Sequence, residues 1–106
     1  MKITINGTRY DLSTMIDLGI ETRENGGVKT KAVFFGPKSH RLIIKHYSIW
    51  ESSRHDGTCV GTTYMVSEPG DNDWADRMQW AYDYCESQHE DMLQAAMDAH
   101  CPAEVE

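Results

Sequence analysis

Two cysteine–histidine pairs sit at spacings that chemistry can use. Cys85 and His89 lie one helical turn apart, and His100 and Cys101 are adjacent, so each pair could offer a zinc ion a thiolate and an imidazole. A closed structural zinc site needs four convergent ligands. On one continuous helix the two pairs stand about 16 Å or more apart, so no metal is expected, and Cys85 reads as a small apolar packing residue. A second combination is Cys59 with His55 or His46, a thiol at the start of a strand beside a polar loop with an imidazole base in reach. No orienting group or oxyanion donor accompanies it, which places a small thiol enzyme last among the readings. Phosphate-cradling loops are missing too: Asn25-Gly26-Gly27 reads as a turn, and Gly57-Thr58-Cys59-Val60-Gly61 lacks the lysine and hydroxyl of a phosphate-binding loop. The expectation is a non-enzyme with no cofactor.

The elements that must position these side chains change period once along the chain. Ile3 and Ile5 alternate with polar residues, Asn6-Gly7 supplies two residues tolerant of positive φ, and Tyr10 and Leu12 resume beyond it, which is the pattern of a two-residue hairpin. A short helical turn is expected over 13–18, capped by Ser13 or Thr14 and ended by Gly19. Strands follow from Ile20 to about Arg23, after a turn at 24–27 from Val28 to Phe35, and from Arg41 to Trp50. The last is apolar on both faces and therefore central. Ser52 to Gly57 reads as a loop and Cys59 to Ser67 as the final strand. After Glu68-Pro69-Gly70 the period becomes helical, with Asp71, Asn72 or Asp73 as N-cap and one helix expected over 71–100, then a tail over 101–106. The predicted architecture is a single α+β domain over 1–106. An antiparallel sheet of about four to six strands, hairpin first, packs against one long C-terminal helix.

On a wheel advancing about 100° per residue, Trp74, Met78, Ala81, Tyr82, Cys85, His89, Met92, Leu93, Ala96 and Ala99 form the stripe facing the sheet. Asp76, Asp83, Glu86, Glu90 and Asp98 gather on the opposite side, bordered by Asp73 and Asp91, and only Arg77 interrupts them with positive charge. Solvated faces ordinarily mix signs, because like charges at i,i+4 cost a few tenths of a kcal/mol each. Trp80 and Tyr84 fall on or beside the acidic arc, away from the packing stripe. Aromatic anchors within a charged rim are the composition of a protein-binding surface. The partner-binding residues expected are Asp76, Trp80, Asp83, Tyr84, Glu86, Glu90 and Asp91.

Charge along the 106 residues is split. Residues 1–53 carry eight Lys/Arg against five Asp/Glu, a net of +3, and residues 54–106 carry two against twelve, a net of −10. The whole chain is at −7. A concentrated negative surface repels nucleic acid and membranes and attracts basic protein surfaces. Lys29, Lys31, Lys38, Arg41 and Lys45, with His40 and His46 nearby, form a basic patch on the central strands, but the net charge argues against direct nucleic-acid binding. No run reaches the ~20 apolar residues of a membrane span. The start MKITINGTRYDL has no signal-peptide pattern, and three irregularly spaced cysteines fit a reducing compartment, so a cytoplasmic protein is expected.

In size, charge and composition the chain resembles the small acidic inhibitors encoded by phages and mobile elements, anti-CRISPR proteins among them. That resemblance implies a non-enzymatic inhibitor of a host defence complex, and the run of Asp76, Asp83, Glu86, Glu90 and Asp98 along the helix could occupy the positions of DNA phosphates and so block a basic, nucleic-acid-binding surface. The alternative is a homodimeric structural or adaptor module with Trp80 and Tyr84 as its interface.

Overall fold

The computed structural model describes residues 2–20, 28–52 and 55–100, with backbone only at 28–30, 47–52 and 55–61. The predicted strand and turn over 21–27 and the tail over 101–106 lie outside the described residues. Strands β1 (Lys2–Ile5) and β2 (Thr8–Asp11) form a two-stranded hairpin closed by Asn6 and Gly7, whose φ angles of 50° and 81° make the tight turn that matches strand twist. A four-stranded antiparallel sheet follows in the order β3 (Ile16–Asp17), β4 (Val28–Phe35), β5 (Leu42–Ser52), β6 (His55–Ser67). Helices α1 (Trp74–Tyr84) and α2 (Glu90–His100) follow the sheet.

Alternation along the strands sorts their side chains between two cores. Val33, Phe35, Leu42 and Ile44 pack with Leu18, Ile20 and the helix residues Trp74, Met78, Ala81, Leu93, Ala96 and Met97. Ile43 packs on the other face with Ile5 and Leu12 of the hairpin, joined by Phe34, Tyr64 and Val66. The sheet is therefore the middle of three layers, hairpin below and helices above. β5 is central and apolar on both sides, as its sequence requires.

Local signals account for several departures from expectation. The turn after β2 is a 3-10 turn over Leu12–Thr14, and its cap is Asp11 rather than Ser13 or Thr14. Asp11 Oδ1 accepts from the Ser13 amide at 3.1 Å and its hydroxyl at 2.6 Å, and these bonds hold the Asp11 carboxyl below the usual range. β6 begins at His55, earlier than its apolar pattern suggests, because β5 continues to Ser52 and pairs with it. Register shifts at Ser48/Ile49 and Trp50/Ser52 accommodate Gly57 and Gly61 beside extra β6 residues.

The largest correction concerns the helix. Residues 71–100 do not form one rod: Cys85 and Glu86 are extended, with ψ of 162° and 140°, and a 3-10 turn over Ser87–His89 restarts the chain as α2. The extended pair lets the Glu86 amide donate to the Leu18 carbonyl at 3.2 Å, closing the sheet edge beyond β3. α1 and α2 then form a helical hairpin whose two ends meet at His40. Trp74 Nε1 donates to the His40 carbonyl at 2.8 Å, and the His100 and His40 rings share a 2.7 Å hydrogen bond between Nε2 and Nδ1.

Gly19 is part of the same closure. Its φ is +72°, and a Cβ there would run into the Glu86 carboxylate. Gly19→Ala is expected to cost about 1–2 kcal/mol from the left-handed backbone. Adding Glu86→Ala should relieve only the steric part, so urea denaturation of the double variant should still show most of the loss.

Candidate functional site

Within α1, Asp76, Trp80, Asp83 and Tyr84 stand at i, i+4, i+7 and i+8 of one unbroken helix. Asp76, Asp83 and Tyr84 are exposed, and Tyr84 retains 63% of its surface. The Trp80 and Tyr84 rings lie 5.8 Å apart at 41°. Trp80 itself departs from expectation: it is half-buried and packs against the helix-side core. Lys31 Nζ sits 5.8 Å from its ring centroid, a contact worth about 1 kcal/mol at such a half-buried site. Trp80 is thus a platform that the core holds in place, and Tyr84 is the aromatic that projects from it. Alternation along β4 puts Lys31 on the face of Val33 and Phe35, which is the one sequence signal for this contact.

The break at Cys85 redistributes the remaining carboxylates. Glu86 belongs to the extended linker, so it is not the i,i+4 neighbour of Glu90 on a helix face. Its side chain lies against Gly19 and accepts a hydrogen bond from Gln88 at 2.9 Å. Glu90 opens α2 half-buried, close enough to Cys85 for its charge to act on the thiol. Asp91 and Asp98 are exposed on the solvent side of α2. The α2 core face is centred on Leu93, Ala96 and Met97, a rotation of about 80° from the continuous wheel at about 100° per residue. That rotation buries Met97, leaves Ala99 exposed, and removes α2 from the arc on which α1 sits.

Residues 71–100 carry eight carboxylates and one arginine, a net of −7. The arginine does not dilute the solvent face. Arg77 pairs with Asp73 at 2.8 Å and donates to the buried Ser67 hydroxyl at 2.6 Å. Among the described residues, Asp76, Asp83, Glu86, Glu90, Asp91 and Asp98 make no ion pair. Asp83 and Asp98 each accept only from a glutamine one turn away.

Among the described residues, the basic side chains of the first half do not assemble into one patch. Lys31 faces the helix layer, Lys45 lies on the hairpin side by alternation with Ile43, and Arg41 pairs with Glu68 at 2.8 Å while its guanidinium covers Tyr10. A cavity of about 440 Å³ opens between the hairpin and the β4–β5 turn, lined by Arg9, Tyr10, Thr14, Met15, Pro37 and Lys38 among others.

For the thiol reading, Cys59 stands opposite Ile49 in β6. Its side chain and that of His55 lie outside the described residues, as does Cys101. Among the described residues no three His, Cys, Asp or Glu side chains converge on a metal position, and no helix is long and apolar enough to cross a membrane. Cys85 is half-buried, and desolvation, with the Glu90 charge second, pushes its thiol up from the usual range. Iodoacetamide should therefore label Cys85 in the folded protein more slowly than a free thiol at pH 8, and at the free-thiol rate once the protein is unfolded in urea. Equal rates in both states would show that burial does not protect it.

No family model, curated protein or solved structure matches this chain, so its function has to be read from its own residues.

Proposed function

We propose that this protein is a non-enzymatic inhibitor that binds a basic, nucleic-acid-binding surface of a host defence protein through the solvent face of α1, in the manner of the phage-encoded inhibitors it resembles. The observation that carries the reading is the strip Asp76–Trp80–Asp83–Tyr84, an exposed tyrosine on a core-held tryptophan flanked by two carboxylates without described ion pairs. Asp76 and Asp83 are about 10 Å apart along the helix axis, the rise of about three nucleotides of one DNA strand. Carboxylates at that interval present charge to lysines and arginines that otherwise hold phosphates. The exposed α2 acids, Asp91 and Asp98, extend the negative field that draws such a surface in.

The test pairs a functional assay with a physical one. In bacteria with an active CRISPR defence, the wild-type chain should restore plaques of a targeted phage, and Asp76→Lys with Asp83→Lys should not. With the purified effector complex, the chain should displace duplex DNA in a mobility-shift assay, and its binding should weaken as salt is added. No binding to effectors across the defence classes would reject the inhibitor. A shift to monomer with Trp80→Ala and Tyr84→Ala would instead favour the adaptor reading.

A further inference from the structure

The two edges of the four-stranded sheet are treated differently. At one edge β3 has only two residues, and the Glu86 amide covers the Leu18 carbonyl just beyond it. At the other, β6 runs thirteen residues and, among the described residues, pairs with β5 alone. Natural edges of this length are usually blunted by lysine, proline or an inward charge. From His55 to Ser67 there is no lysine, arginine or proline, and Asp56 is the single acid. The bulges that do twist this strand fall in its first half. From Gly61 to Ser67 it pairs with β5 in unbroken register.

Among the described residues the large exposed hydrophobics are two, Tyr84 and Met65. Tyr84 belongs to the α1 strip. Met65, 39% exposed, is on β6, on the helix-facing side of the sheet beside the exposed Thr63. We infer that β6 is a self-association edge, on which the β6 of a second copy of this chain pairs antiparallel across a twofold axis to continue the sheet from four strands to eight.

The register follows from the bulge-free stretch. A twofold axis at Tyr64 pairs residues 61–67 of each copy along their whole regular length. It sets Met65 against Thr63 of the partner subunit on the helix side, and the half-buried Tyr64 against Tyr64 of the partner subunit on the hairpin side. No charged residue of 61–67 then meets its like, because the stretch has none. An axis normal to the sheet also brings both helix layers out on the same side. Their mutual repulsion is screened by salt, so added salt should strengthen this association, opposite to its effect on a basic partner.

The experiment is sedimentation over about 10–500 µM, the range in which a small interface dissociates. The wild type should pass from monomer to dimer. Thr63→Lys with Met65→Lys places lysine against lysine twice and should stay monomeric, as should Thr63→Glu with Met65→Glu. An equimolar mixture of the two variants should recover the dimer. Both sites are exposed, so circular dichroism and urea midpoints should match the wild type. A monomeric wild type throughout, a dimer that survives the double-lysine change, or no recovery on mixing would each overturn the proposal. A dimer lost with Trp80→Ala and Tyr84→Ala but kept in the double-lysine chain would move the interface to α1.

Discussion

Trp74→Ala will remove about 3–5 kcal/mol of folding stability, a large part of the 5–15 kcal/mol that holds a typical domain of this size. Trp74 is 2% exposed and opens α1 against the core cluster. Its indole donates to the His40 carbonyl, and its ring meets His100 edge-on at 5.2 Å. One side chain therefore ties the start of α1 and the end of α2 to the β4–β5 turn, where His40 is held at φ 58°. With a urea slope of about 1.5 kcal/mol/M, the midpoint should fall by about 2–3 M. Trp74→Phe keeps most of the ring but leaves the His40 carbonyl without its donor, and should cost about 1–3 kcal/mol. Trp80→Ala should cost only about 1–2 kcal/mol, for a half-buried ring and its Lys31 contact. Equal losses at Trp74 and Trp80 would contradict the assignment of one to the core and the other to the surface.

The contrast between these tryptophans shows what the sequence can and cannot say. Binary pattern was enough to find the hairpin at Asn6-Gly7, the two-faced β5 and the inward stripe of α1, because each is dictated within a few residues by turn chemistry or side-chain period. The break at Cys85 was not found, since neither glycine nor proline marks it. It is stabilised from outside, by the Leu18 carbonyl receiving the Glu86 amide, and such a partner is invisible to periodicity. One local signal was present. Ser87-Gln88-His89-Glu90 has the Ser-x-x-Glu spacing of a helix start, and Met97 on the wrong side of a continuous wheel was a second hint that the phase changes.

The break matters for the candidate site. On an unbroken helix, Asp76, Asp83 and Glu90 would share one line with Glu86 beside them on the same face. With the linker extended, α1 keeps Asp76 and Asp83, Glu86 turns toward Gly19, and Glu90 moves beside Cys85. The acidic surface is therefore two short faces rather than one long one, and only the α1 face carries aromatics. The wheel angle of Trp80 lies outside the stripe and predicts a ring that the core does not claim. A tryptophan is large enough to reach the sheet from the stripe's flank, and Lys31 on β4 meets it there.

Tyr84→Ala will separate binding from folding most sharply. At 63% exposure the change should leave stability within about 0.5 kcal/mol, yet under the proposed function, with Tyr84 as the aromatic anchor, it should cost about 2 kcal/mol or more of binding, roughly 30-fold in affinity. Asp76→Lys with Asp83→Lys acts through a different quantity. Rim charges govern approach, so this pair should lower the association rate and flatten its dependence on salt while changing dissociation less. Since Asp83 and Tyr84 are adjacent, combining their substitutions should give less than the sum of the separate effects. The control is Asp91→Lys with Asp98→Lys, which alters net charge by the same amount on α2. If that pair matched the α1 pair in both rate and salt slope, the partner would be reading the net field of the protein. If the α1 pair and Tyr84→Ala dominate, recognition lies on the one face where carboxylates and an exposed aromatic are held together by the core beneath.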